Sequence, residues 1–229
     1  MMVFRFALKR SFSSKTNLLC LAALPIALIF LPYDPESWMR LPYGYHYFSV
    51  VLLFVSVRLA VILLEDRQKG IIKRIAIAPI TYLSYLSQNV FAFTILLLIQ
   101  IIIMIIGGLL YGHELYHATR LFILYVMFAF TSLSMALAWV SLYRSKETSF
   151  LVYMALVVLM ALLSGIMLPM EIMPDSVEKI AFFLPTYWYN EAINVIVTQA
   201  SFIDFLLPLS ILLLYAVLFL LIGSKRRIV

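Results

Sequence analysis

Cysteine is nearly absent from this chain. Cys20 is the only one among 229 residues, so no intrachain disulfide can form and no thiolate cluster can hold a metal. Charge is scarce as well. Only 12% of the residues are Asp, Glu, Lys or Arg, against 65% hydrophobic, where a soluble domain carries roughly 25% charged and 45–50% apolar residues. A water-soluble fold of this length has no interior large enough to hide so much apolar surface, so its solvent is a bilayer. Glycine is thinly spread too. The seven glycines are Gly44, Gly70, Gly107, Gly108, Gly112, Gly165 and Gly223, and none precedes a lysine. A Walker A loop, whose backbone N–H groups cradle phosphate ahead of a Gly-Lys-Ser/Thr end, is therefore missing.

What the sequence does hold is a series of apolar runs. They predict six spans, over 18–31, 45–64, 90–110, 121–143, 150–168 and 205–222. The last five are each near the ~20 residues that about 30 Å of hydrocarbon demands. They must be helical, because lipid cannot satisfy backbone polar groups. The first run is short and contains Pro25. Arg5, Lys9, Arg10 and Lys15 precede it like the basic start of a signal peptide, yet no small-x-small cleavage site follows Leu31, and a retained span is expected. Ahead of it, Phe4, Ala7, Leu8 and Phe12 share one helical face and Arg5 and Lys9 lie off it, the pattern of an interfacial helix. The fold class expected is all-α and polytopic, with residues 1–229 forming one domain.

The formal net charge of +6 bears on orientation rather than on nucleic acid, because the basic residues flank the apolar runs. With the N-terminus cytoplasmic, thirteen of the seventeen basic residues fall on the cytoplasmic side, and the outer connections keep only Arg40, Arg120 and Lys179. Both termini are then inside and the number of spans is even.

Two connections are more than turns. The cytoplasmic one starts at Glu65 and reads E-D-R-Q-K-G-I-I-K-R-I-A-I-A-P-I. Ile71, Ile72, Ile75 and Ala76 share a helical face, with Lys69, Lys73 and Arg74 elsewhere, and Pro79 stops the run. Such a helix can lie on headgroups or dock in a partner's groove. The outer segment from Met170 to Asp204 is long and has helix signals of its own. Pro174 suits a helix start, and Asp175 and Glu178 suit its positive end. Val177, Ile180, Ala181 and Leu184 make one apolar stripe, Pro185 breaks it, and Ala192, Ile193, Ile196 and Val197 make a second. Between the stripes, Tyr187, Trp188 and Tyr189 read as an aromatic cluster at the membrane interface. Two helices of about 10–13 residues reach only roughly 15–20 Å. Neither spans, and a hairpin that enters the outer leaflet and returns is expected.

The two connections, in this order and on these sides, resemble the permease subunits of ABC transporters of the type-2 export class over nearly the whole chain. The residues that carry the resemblance are Glu65-Asp66-Arg67-Gln68-Lys69-Gly70 with Arg74 and Pro79, and Ser164-Gly165, Pro169, Met173-Pro174, Pro185 and Glu191. The resemblance implies six spans, an amphipathic N-terminal helix, a reentrant outer hairpin acting as a gate, and a coupling helix over Glu65–Ile75 that inserts into an ATPase. It places coupling on Glu65, Asp66, Arg67, Lys69, Gly70, Ile71, Ile72, Arg74 and Ile75. It implies two copies of a separate ATPase subunit holding ATP and Mg, and a second permease subunit, identical or similar. It also implies the plasma membrane of a bacterial cell and outward transport. The apolar composition favours a hydrophobic or amphipathic substrate, such as a drug or antimicrobial peptide, over a lipid or polysaccharide. No cofactor, resident metal or nucleic acid is expected on this chain.

Three features remain. His113-Glu114-Leu115-Tyr116-His117 matches H-E-x-x-H, which on a helix would aim two imidazoles at zinc with the glutamate as general base of a membrane metalloprotease. The motif sits in a short loop after Gly112 with no third ligand nearby in sequence, which favours a plain polar loop. Arg58 is the one basic residue deep in a span, and an intramembrane charge snorkels, pairs or lines a path. Gln100 either bonds between helices or lines that path.

Overall fold

The computed structural model describes residues 2–13, 15–32, 34, 38–39, 41–70 and 81–225. Those residues form helices, turns and loops, with no strand among them. The helices are α1 (Met2–Ser13), α2 (Lys15–Ile29), α3 (Tyr43–Gln68), α4 (Tyr82–Tyr111), α5 (Ala118–Val140), α6 (Lys146–Leu163), α7 (Asp175–Ala181), α8 (Pro185–Val197) and α9 (Phe202–Lys225), with a 3-10 turn at Met170–Ile172. Five of them, α3, α4, α5, α6 and α9, are long and apolar enough to cross a membrane. The apolar part of α2 runs only over Leu18–Ile29, and its 15 residues extend about 22 Å, short of the hydrocarbon thickness.

Local chemistry fixes the helix ends. Thr81 caps α4 by accepting from the Ser84 N–H at 3.3 Å, and the helix closes on Gly112 in the left-handed region at φ 95°. Ser145 accepts from the Thr148 N–H at 3.3 Å to start α6. Pro174 stands just before α7, whose first turn holds Asp175 and Glu178, and Pro185 opens α8. The spans also run past the limits expected from hydropathy. α3 continues from Leu64 to Gln68 and α4 begins eight residues before Val90.

α5 is the hub of the bundle and packs against α3, α4 and α9. Its middle is built from small residues, Thr131, Ser132, Ser134, Ala136 and Ala138, which let helices approach closely where lipid supplies no hydrophobic drive. Ser132 and Ser56 share a 2.8 Å hydrogen bond across to α3, and Thr131 Oγ1 donates to Leu212 O on α9 at 2.9 Å. Gly108 serves the α3–α4 contact: the Tyr45 hydroxyl occupies the place a Cβ would take, and donates to Met104 O at 3.2 Å.

One end of the bundle carries α1, the end of α3 and the α5–α6 turn. The other carries the α4–α5 loop and the hairpin α7–α8. They are called here the basic end and the hairpin end.

Candidate functional site

At the basic end, three side chains in the last turn of α3 reach three different elements. Asp66 is only 7% exposed and pairs with Arg10 of α1. Glu65, half-buried, lies 3.5 Å from Lys146 Nζ at the start of α6 and 4.0 Å from Lys69. Gln68 Nε2 donates to Arg144 O at 2.9 Å. These contacts explain why the helix does not stop at Leu64: Glu65, Asp66 and Gln68, which looked like loop residues, all find partners while remaining helical. The helix ends where Lys69 N–H bonds Glu65 O at 2.9 Å and Gly70 turns at φ +70°. Ile71, Ile72, Arg74, Ile75 and Pro79 lie outside the described residues, as does the side chain of Arg67. The segment expected to couple therefore opens, at Glu65, as the tail of α3.

At the hairpin end, α7 and α8 connect α6 to α9. Thr186 Oγ1 donates to Met160 O at 3.3 Å, and Tyr215 of α9 donates to Phe183 O at 3.0 Å. Tyr215 lies thirteen residues into α9, about 20 Å along it, so the hairpin tip reaches well down the bundle. The tip is apolar and exposed at Phe182 and Phe183. The hairpin and the turn that leads into it are each fastened to α3. His46 Nε2 donates to Ile166 O at 2.8 Å, and Tyr189 donates to Tyr45 O at 3.1 Å, a carbonyl that also accepts from Tyr125 at 3.0 Å. Arg120 at the start of α5 donates to Ala200 O at 2.8 Å and ties down the turn after α8.

A family model described as ABC-2 family transporter protein matches residues 11–225. The chain belongs to that family. A search among curated proteins finds no match. As an ABC-2 family member it is a transport subunit rather than itself a catalyst.

The remaining predicted residues of this ABC-2 transporter take distinct places. Ser164 caps the end of α6 and is buried, its hydroxyl without a partner among the described residues. Gly165 turns at φ +80°, and a Cβ there would stand 2.6 Å from Asn190 Nδ2 and 2.7 Å from Met170 Cγ. Pro169 precedes the 3-10 turn and Glu191 is half-buried on α8. Arg58 is half-buried within α3, its Nε without a partner among the described residues. Gln100 is 0% exposed, with neither amide atom bonded among the described residues. It faces the bundle interior, alongside the buried Phe93, Leu96 and Met104.

One sequence reading changes. The aromatic cluster is not an interfacial belt: Tyr189 is fully buried and Trp188 nearly so, with Trp188 Nε1 donating to Phe182 O at 3.0 Å. The alternation Tyr187-Trp188-Tyr189 signalled aromatics, but only the return of α8 onto α3 and α5 shows that they are the hairpin's fasteners. The H-E-x-x-H run is loop and turn rather than helix. His113 packs edge-on against Tyr45 and Tyr111, with burial pushing its imidazole below the ordinary 6.5, while His117 is exposed at the start of α5. Among the described residues no group of three His, Cys, Asp or Glu side chains stands together as metal ligands.

Proposed function

We propose that this ABC-2 chain is the membrane-spanning permease subunit of an exporter whose ATP is hydrolysed on a separate subunit. The observation that carries the reading is the joining of α1, α3 and α6 at the basic end. Arg10–Asp66, Glu65–Lys146 and Gln68–Arg144 make one mechanical unit of three helices immediately before the isoleucine-rich segment that follows Gly70. A partner that gripped Ile71, Ile72 and Ile75 and pushed would move all three together. Two ATPase subunits holding ATP and Mg would close on ATP and press on Glu65–Ile75 of this chain and of a second permease subunit, identical or similar. The hairpin bearing Gly165, Pro174 and Pro185 would then open the outer side. The thirteen basic residues of that end would keep it and both termini in the cytoplasm of the cell.

The cargo we infer is hydrophobic or amphipathic, a drug or antimicrobial peptide. A lipid headgroup or polysaccharide would need a more charged lining than α3 to α6 provide, where Arg58 is the one charged residue deep in the spans and Gln100 adds a neutral amide.

The test is purification from the native membrane with ATPase activity as the readout. The chain should bring down an ATP-hydrolysing subunit, and Ile71→Glu should break the association or leave hydrolysis insensitive to substrate. Recovery of the chain with no ATPase, together with zinc-dependent peptide cleavage lost in Glu114→Gln, would sink the reading.

A further inference from the structure

We propose that the hairpin end carries a binding site for an organic ammonium group. A cavity of about 220 Å³ opens beside the hairpin, lined by Trp38, Glu171, Asn190, Asn194 and Thr198. Three observations define its chemistry. Asn190 is 6% exposed and its amide makes no hydrogen bond among the described residues, so the cavity is where that bonding capacity is open. Gly165 keeps the space: any Cβ there would displace the Asn190 amide and Met170. Glu171 is exposed at the cavity and has no cationic partner among the described residues. A carboxylate beside an indole wall selects a cation, since an aromatic face attracts ammonium and a carboxylate repels anions, and the Asn190 and Asn194 carboxamides add neutral polar partners. Trp38 is braced for this role by edge-on contact with the buried His46 ring, centroids 5.2 Å apart.

The wider field agrees. Among the described residues, the segments of the hairpin end hold seven acidic residues, Asp34, Glu114, Glu171, Asp175, Glu178, Glu191 and Asp204, against two basic ones, Arg120 and Lys179. An end with that excess draws cations towards it. Size narrows the ligand. The cavity falls below the roughly 300–1,000 Å³ of pockets that enclose a drug-sized molecule, so it suits a small amine or the headgroup of a lipid and not a whole drug. The site is independent of the exporter reading, because binding is measured on the chain without any ATPase.

The experiment uses the full chain in a neutral detergent and titrates choline by calorimetry, with 3,3-dimethyl-1-butanol as the uncharged isostere. Choline should bind and the alcohol should not. Glu171→Gln should weaken choline at least tenfold, and Trp38→Leu severalfold, with unchanged thermal unfolding of both variants showing that the fold is intact. Nanodiscs identify the source: if a lipid headgroup fills the site, phosphatidylcholine discs lower the apparent choline affinity relative to phosphatidylglycerol discs, and Glu171→Gln abolishes the difference. If a free amine fills it, choline binds equally in both. Equal binding of choline and the alcohol, or full affinity in Glu171→Gln, overturns the proposal.

Discussion

Breaking the Arg10–Asp66 pair should loosen the basic end, by an amount that its burial sets. An exposed ion pair contributes about 0–1 kcal/mol, whereas removing one partner of a buried pair costs about 3–5 kcal/mol. Here the Asp66 side chain is 10% exposed and that of Arg10 39%, so the cost lies between. Arg10→Gln leaves a carboxylate buried without its counter-charge and is expected to cost about 2 kcal/mol; Asp66→Asn leaves a neutral acceptor beside a half-wet guanidinium and should cost about 1 kcal/mol. The double variant should be no worse than Arg10→Gln, a coupling of about 1 kcal/mol. At about 2–4 °C per kcal/mol for a chain of this size, unfolding should drop about 4–8 °C in Arg10→Gln, about 2–4 °C in Asp66→Asn, and about 4–8 °C in the double. The assay is thermal unfolding of the purified chain in detergent. Single-variant effects that add within about 0.3–0.5 kcal/mol would refute the pair. The shifts should also survive added salt better than those of an exposed pair, because partly buried charges are screened less.

Three further outcomes follow from the geometry. Gly165→Ala should cost at least about 1–2 kcal/mol from φ +80° alone, with more from the crowding of Asn190 and Met170, read as a lower unfolding temperature. Gln100→Leu should leave stability equal or raise it by up to about 1–2 kcal/mol, because a fully buried amide without a partner is replaced by an apolar chain; a clear loss in the same assay would mean the amide is bonded after all. His113 favours its neutral form when folded, since burial lowers its pKa from 6.5. Its contribution is therefore complete above that value and is lost as pH falls below it, towards the folded pKa. Unfolding temperature should drop as pH falls below 6.5, and His113→Gln should remove part of that slope.

The apolar runs made the bundle legible, because a hydrocarbon solvent imposes length and helicity on the chain directly. Proline and acidic residues made the hairpin legible, since Pro174, Pro185, Asp175 and Glu178 act through local chemistry that travels with the sequence. The limits of α3 were not legible. Glu65, Asp66 and Gln68 look like loop residues until Arg10, Lys146 and Arg144, far off in sequence, arrive beside them. Burial of Tyr189 was hidden for the same reason: its hydroxyl is satisfied by the Tyr45 carbonyl 144 positions away. Asn190 and Glu171 carried no motif, and no signal along the chain would have joined them to Trp38. The short α2 was visible as a weak first run, and its pairing with α3 and α4 is a matter of tertiary packing.

α3 is a strut. It has 26 residues, about 39 Å of unbroken helix, with no proline inside, while α2 and α9 each contain one, Pro25 and Pro208, where a helix can bend. A stiff rod anchored at both faces neither shortens nor stores displacement. A shift imposed where Asp66 meets Arg10 would on that account be carried towards Ile166 and Tyr189, with bending left to the proline-containing neighbours.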